Sequence, residues 1–377
     1  MALEDLRQQI EAVDNRLLGA LAERRALALE VARDKQQHQG AVRDLQRELT
    51  LMTLLNEKGR SLGLDPAMLG RLYQIIIEDS VLTQQAWLEQ QPQSAALSIA
   101  YLGMEGTYSF LAAQGYASRR QRPFIGQACE RFSDIISAVE SGQADLGILP
   151  IENTSSGSIN EVYDLLRHTH LAIAGETYLA VDHHLLVKPG TRLAEIKTVY
   201  GHPQALAQCS AFLNNLGHDI TLQACPSSAH AMAQVSDAYS AALGPASGGE
   251  LYQLEAIEHQ LANQGNNTTR FIVVSRNAAT VPTQLPAKTS LIMATHNQPG
   301  ALVDALLVLR QHDINIIKLE SRPMPGNPWE ELFYIDLSCH IQSPSWQQAY
   351  AALQAMTRFS KVLGCYLDER IAPVPQP

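Results

Sequence analysis

The chain has 377 residues, 46% of them apolar, with a formal charge of -10. That is apolar material for more than one core and excludes a disordered chain, while the acidic balance excludes a general nucleic-acid or membrane surface. Five scattered cysteines without a C-x-x-C pair point to a reducing compartment, and Glu4, Asp5 and Arg7 leave no room for a signal-peptide core, so a soluble cytoplasmic protein is expected.

From Leu3 onward, Leu6, Ile10, Val13, Leu17 and Leu21 recur at three and four, which predicts an amphipathic helix to about Asp34. Leu45, Leu49, Met52 and Leu55 carry a second helix, and Leu69, Tyr73, Ile76 and Val81 a third after Asp65-Pro66. Residues 1–90 thus read as an all-helical domain. Polar residues break its apolar faces: Arg24 and Lys35 fall within about 20° of one another around the first helix. Asp44 and Glu48, with Arg43 and Arg47 in register, stand at i and i+4 on the second, as do Ser80 and Gln84 on the third. Three helices can therefore converge on one pocket of cations and amides. Arg7 precedes Arg24 by roughly 25 Å of continuous helix, so one chain cannot bring both to a small molecule. If Arg7 serves the same kind of site, a second subunit must supply it, which predicts a helical dimer with shared sites. Solvated faces with ordinary ion pairs are the bland alternative.

The segments Leu6-Arg7, Ala22-Glu23-Arg24-Arg25, Lys35, Val42-Arg43-Asp44, Arg47-Glu48 and 77–85 resemble the helical chorismate mutases fused to prephenate dehydratase. The resemblance implies a pericyclic rearrangement of chorismate to prephenate, in which the protein fixes the reactive conformer and stabilises charge at the breaking ether bond. It implies Arg7 of a partner chain and Arg47 on the carboxylates, Lys35 and Gln84 donating to the ether oxygen, and Glu48 on the ring hydroxyl. Arg24, Asp44 and Ser80 would complete the pocket.

A Gln-rich linker around Gln90-Gln91-Pro92-Gln93-Ser94 leads to a second region, 97–277. Strand patterns at 97–102, 144–151, 171–174, 184–187, 197–200 and 271–275 alternate with helical ones at 133–141, 204–214 and 228–235. This is α/β architecture with parallel sheet content, in two lobes about a cleft. The glycines between Gly103 and Ser109 fit neither a dinucleotide fingerprint nor a P-loop. At 147–151 an apolar run opens into Glu152-Asn153-Thr154-Ser155-Ser156-Gly157-Ser158, a donor-rich loop suited to a polyoxygenated substrate. A helix cap and turn is the bland alternative.

The stretch 150–159, with 103–109, Ala241-Ala242-Leu243-Gly244 and Thr269-Arg270-Phe271, resembles prephenate dehydratase. The resemblance implies a periplasmic-binding-protein-like pair of lobes, and loss of carbon dioxide and the ring hydroxyl driven by aromatisation. Thr269 would lie near the hydroxyl, Arg270 on the carboxylate side, and Asn153, Ser155, Ser156 and Gln208 would be binding donors. No cofactor and no metal are expected, and His183-His184 reads as structural. Glu152 stands open as a partner to activate a hydroxyl. Two departures stand out: Gly201 precedes His202-Pro203-Gln204 where the family commonly has Ser, and Cys225-Pro226 replaces more polar residues.

Past Pro282 and Pro286, residues 289–367 show the order βαββαβ, a ferredoxin-like arrangement. Gly300-Ala301-Leu302-Val303 and Glu320-Ser321-Arg322-Pro323 resemble the ligand motifs of ACT regulatory domains. The resemblance implies phenylalanine as effector, held between paired subunits, with Glu320 and Arg322 answering its ammonium and carboxylate. The expected partners are chorismate, prephenate, phenylalanine and another copy of the chain, as a homodimer or larger homo-oligomer, with no nucleic acid and no membrane. A two-lobed sensor without turnover, and a dehydratase using arogenate, stand beside the bifunctional reading.

Overall fold

The computed structural model describes residues 3–38, 42, 44–88, 96–217, 220–265, 267–324 and 330–369; Arg43 lies outside them. Helix α1, Leu3–His38, runs unbroken for 36 residues, with Glu4 and Asp5 in its first turn and Lys35 and His38 in its last, signs that oppose the helix dipole. Helix α2, Leu45–Ser61, is capped by Asp44, whose side chain accepts from the Arg47 N–H. Helix α3, Pro66–Leu88, starts on a proline and packs against both. Burial on α1 is confined to its C-terminal part. Ala28 and Ala32 are buried, whereas Leu6, Ile10, Val13, Leu17 and Leu18 are exposed, Leu18 at 64%. The apolar stripe read from the sequence faces solvent in the single chain.

The middle region runs β1 Leu97–Leu102, α4 Tyr108–Arg119, β2 Phe124–Cys129, α5 Phe132–Glu140, β3 Leu146–Asn153, β4 Gly157–Ser158, α6 Asn160–His168 and β5 Ala172–Ala180. It crosses to β6 His184–Val187, β7 Thr198–Gly201, α7 Pro203–Gln208, α8 Ser210–Asn215, β8 Thr221–Ala224, α9 Ser228–Ala233, β9 Ser240–Gly244, α10 Ala246–Leu251 and β10 Glu255–Glu258, then returns through β11 Thr268–Ser275. Lobe one is a sheet of order β2-β1-β3-β11-β5, and lobe two one of order β10-β6-β9-β7-β8. Pairing is parallel at β2-β1-β3 and β8-β7-β9 and antiparallel elsewhere on these paths. A strand buried on both faces is apolar whichever way it runs, so sequence pattern does not carry direction. The two crossovers lie side by side: Val181 N donates to Asn267 O at 2.8 Å and Leu261 N to His183 O at 3.0 Å.

The C-terminal region is β12 Ala287–Thr295, α11 Ala301–Gln311, β13 Asn315–Pro323, β14 Glu331–Ser338, α12 Pro344–Met356 and β15 Thr357–Leu367, its antiparallel sheet ordered β13-β14-β12-β15. Its helices cover one face, over Leu291, Met293, Leu309, Leu337 and Trp346. The other face joins lobe one in a single core, where Ile292, Tyr334, Leu363 and Tyr366 meet Leu149, Ile173 and Ile272. β15 presses against β5 so closely that a Cβ on Gly364 would fall 2.1 Å from the Ile173 carbonyl oxygen. A smaller core ties α2 and α3 to the C-terminal region through Val42, Met52, Val81, Leu285, Cys365 and Leu367. Among the described residues no helix is long and apolar enough to cross a membrane.

Candidate functional site

The helical module brings polar residues of its helices together. Arg24 on α1 donates to the Ile76 carbonyl at 3.1 Å and to Ser80 Oγ on α3. Lys35, near the other end of α1, donates to Gln84 Oε1 at 3.3 Å and to the Val42 carbonyl. Ser80 and Gln84 are buried. Burial lowers the Lys35 pKa, and the carboxylates of Asp44 and Glu48 pull it partly back up, so both acids stand near the ammonium. Arg24, Lys35, Asp44, Glu48, Ser80 and Gln84 are thus brought toward one region, although Asp44 also serves as a helix cap. Arg47 is exposed. Arg7 is not brought in: it lies far along α1, 67% exposed, 3.6 Å from Glu4.

In the two-lobed region, pairing register decides which side chains can meet. β11 lies antiparallel to β3 with Thr269 opposite Asn153 and Arg270 opposite Glu152, and successive strand residues face opposite ways. Thr269 and Asn153 therefore share one face, Arg270 and Glu152 the other. On the first, Asn153 Nδ2 donates to Thr269 Oγ1 at 2.9 Å and to Asn267 Oδ1 at 2.6 Å, while Asn153 Oδ1 accepts from the N–H groups of Ser155 and Ser156 at 2.9 and 3.0 Å. Asn267 Nδ2 donates to Gln208 Oε1 at 3.2 Å, and His183 Nε2 lies 2.8 Å from the same oxygen. Ser155, Ser156, Gln204, Gln208, Asn263 and Asn267 line a cleft of about 290 Å³ between the lobes. Gln204 Nε2 bridges it to Ser156 Oγ at 2.8 Å.

Asn267, Gln204, Asn263 and His183 were not among the expected site residues. The signal for Asn267 was present, two positions before Thr269; that for His183 was not, because its contact with Gln208 is tertiary. His184 pairs instead with His259, Nδ1 to Nδ1, at 3.0 Å. The Gly201 departure is explained: a Cβ there would sit 3.0 Å from Leu206 and 3.5 Å from Leu243, against apolar packing in lobe two. Nothing in the structure explains the Cys225 departure.

The expectation for Arg270 is corrected. It is 4% exposed and turned away from the cleft, donating to Glu176 at 2.8 Å, Glu152 at 3.1 Å, Tyr366 Oη at 3.0 Å and Asp336. The fully buried Lys288 donates to Glu176 at 2.6 Å, and Lys318 pairs with Glu152. Burial opposes the charge on Arg270, but Tyr366, Asp336 and Glu176 raise its pKa well above the ordinary value. Burial likewise pushes Glu152 up, yet the Lys318 hydrogen bond and the Arg270 charge bring it below the usual carboxylate range. Glu152 therefore stays ionised on the junction face and does not activate a hydroxyl in the cleft.

The two motifs of the C-terminal region lie at the start of α11 and on β13. Gly300, at φ +86, turns the backbone into α11 through the left-handed region that glycine favours. Ala301, Leu302 and Val303 follow, Val303 being 58% exposed. On β13, Glu320 accepts from Ser158 Oγ at 2.6 Å and Arg322 lies 3.1 Å from Asp164, while Ser321 is exposed. Both charged residues are thus engaged by lobe one, where the sequence led us to expect them to meet an effector.

Two family models match the chain, Chorismate mutase type II over residues 6–85 and Prephenate dehydratase over residues 99–279. A bifunctional chorismate mutase/prephenate dehydratase of Enterobacter agglomerans is 53% identical over 374 residues, spanning 98% of this chain and 96% of that one. Among solved structures, GqqA, described as a novel type of quorum quenching acylase, is 31% identical with a TM-score of 0.65, over 72% of this chain and 97% of that one. The prephenate dehydratase of Arthrobacter aurescens in complex with L-Phe is 26% identical with a TM-score of 0.64, over 74% of this chain and 93% of that one.

Proposed function

This chain belongs to the bifunctional chorismate mutase/prephenate dehydratase family, and from that premise we propose how its residues divide the work. The chain rearranges chorismate to prephenate and converts prephenate to phenylpyruvate; the sensor without turnover is set aside. The first reaction belongs to the helical module. It needs no proton transfer, only a fixed conformer and donors at the breaking ether bond. Lys35 and Gln84, already in contact, supply those donors. Glu48 takes the ring hydroxyl, and Arg24, Arg47, Asp44 and Ser80 complete the enclosure. Arg7 comes from a second copy whose α1 covers the exposed apolar stripe, so the working unit is at least a homodimer.

The second reaction belongs to the cleft, and one observation carries the reading: Asn153 donates to the Thr269 oxygen at 2.9 Å. A hydroxyl that accepts there is left with its own proton to offer, here to the departing ring hydroxyl. As carbon dioxide leaves, the electron pair of its C–C bond enters the ring and expels the hydroxyl. Aromatisation supplies the driving force, so a hydrogen bond to the leaving oxygen is help enough from a weak acid. Ser155, Ser156 and Gln208 hold the substrate by neutral donors. Thr269 acts, and Arg270 braces the strand that carries it.

The Arthrobacter protein was solved with L-Phe, and phenylalanine is the effector we assign to the C-terminal region, read as an ACT domain. Glu320 gives the route. An effector ammonium that recruits Glu320 competes with Ser158, which pairs with Glu152 at the foot of the loop bearing Asn153, Ser155 and Ser156. An effector that binds one arrangement of this contact more tightly than the other shifts the cleft.

Purified protein given chorismate should form prephenate and then phenylpyruvate, followed separately, and added phenylalanine should slow the second step. Formation of neither product would overturn the assignment. Parallel assays with prephenate and arogenate decide between the two dehydratase substrates.

A further inference from the structure

We propose that His183 is a positioning residue for the dehydratase reaction: acting through Gln208, it fixes the direction of the amide chain that ends at Thr269. The proposal rests on the dehydratase reading above. The direction follows from donors whose identity is beyond choice. The backbone N–H groups of Ser155 and Ser156 approach one side-chain atom of Asn153, which must therefore be its oxygen. The other is the amide nitrogen, so the Asn267 atom 2.6 Å from it is an oxygen. Asn267 is left to donate with its nitrogen, and its partner on Gln208, 3.2 Å away, is an oxygen in turn.

That oxygen also faces His183 Nε2 at 2.8 Å. An amide oxygen only accepts, so the imidazole carries its proton on Nε2 and presents Nδ1 as an acceptor. Tyr108 Oη lies 3.0 Å from Nδ1, with the Asp182 carbonyl at 2.8 Å as a second acceptor for its proton. His183 is 2% exposed and its ring meets Tyr108 edge-on. Burial also lowers its pKa, which favours the neutral ring.

Two consequences reach the substrate. Gln208 has its oxygen held from behind by two donors, which leaves its nitrogen for the cleft. Thr269 receives a hydrogen bond from Asn153 and keeps its own proton for the leaving hydroxyl. The chain also spans both crossovers, His183 on the outgoing one and Asn267 on the returning one, with Gln208 in lobe two. Without His183, Gln208 retains one longer bond to its oxygen and its amide is free to turn over.

The test uses the full chain with prephenate, and its own mutase rate as internal control. His183→Leu should lower dehydratase kcat by about ten- to a hundredfold, the scale of a misplaced binding group, with the mutase rate unchanged. His183→Gln, which returns an N–H at similar reach, should recover to within about fivefold of wild type. In a double-mutant cycle, His183→Leu added to Gln208→Leu should cost little more than Gln208→Leu alone. Losses that multiply, equal losses for Leu and Gln, or a wild-type rate for His183→Leu would overturn the proposal. Should His183→Leu lack a cooperative thermal transition, Tyr108→Phe takes its place; it keeps the ring and should lower kcat by about threefold or more, a wild-type rate again overturning the idea. A wild-type chain that forms no phenylpyruvate overturns the dehydratase reading itself, and this proposal with it.

Discussion

The helical arm and the two-lobed region build their sites by opposite means. In the arm, Arg24 and Lys35 sit on one long helix whose first half is exposed, and Arg7 stands 67% exposed far along it. Behind the cleft lining, Asn153, Asn267 and Thr269 are all buried and joined through bonds within one chain. In our reading, one site is half of a shared object and the other is held together within one chain. Charge follows the same division, since the arm sets the cations Arg24 and Lys35 against α3, while amides that need no counter-ion line the cleft.

The contrast can be broken most sharply at Thr269. Thr269→Ala should lower dehydratase turnover by about 10² to 10³, the scale for removing one aimed donor, with mutase turnover intact; a loss of both would mean the sites are not independent. Lys35→Ala should produce the mirror result of similar size. A mixed-chain experiment then tests sharing. Arg7→Ala and Lys35→Ala are each expected to be mutase-dead, yet co-expressed they should recover roughly a quarter of wild-type activity, because half the dimers are mixed and each has one intact site. No recovery would place Arg7 outside the site.

Glu320→Gln addresses the junction and should raise the phenylalanine concentration needed for half-inhibition by about tenfold, within the usual span of allosteric couplings; unchanged sensitivity would remove Glu320 from the route. The smallest effect is expected with pH. Glu152 and Asp336 are shifted up by burial and, more strongly, down by their cationic partners. Their folded pKa values lie below the unfolded ones, so their stabilisation is complete above the ordinary carboxylate range and is lost as pH falls through the folded values. Thermal midpoints measured from pH 7 down to pH 3 should therefore fall, and fall less steeply in Lys318→Met. Parallel slopes would count against it.

Legibility tracked the range of the interactions. The three helices were readable because amphipathic period is local, and Arg7's isolation followed from helix rise alone. The neighbours Thr269 and Arg270 marked the right strand, but adjacent residues on a strand serve opposite faces, and the sequence does not say which face holds the cleft. His183 was read as structural because no metal-ligand cluster is apparent around it in sequence; what it touches, Gln208 and Tyr108, lies 25 and 75 residues away. Glu320 and Arg322 were legible as a charged pair, yet Ser158 and Asp164 reach them only through the packing of two regions.

The charges at that junction bear on how the chain can be divided. The dehydratase family model ends at residue 279, and a cut there looks clean on paper. It would strip Arg270 of Asp336 and Tyr366, and Glu176 of Lys288. Arg270 and Glu176 would keep each other, but the apolar face on which Leu149, Ile173 and Ile272 meet Ile292, Leu363 and Tyr366 would be bared to water, at about 1.5–3 kcal/mol for each large side chain fully exposed, a large fraction of what holds a domain of this size folded. The two regions share one core and are to be expressed and truncated as one piece. The boundary that is convenient for a sequence model runs through the middle of a physical unit.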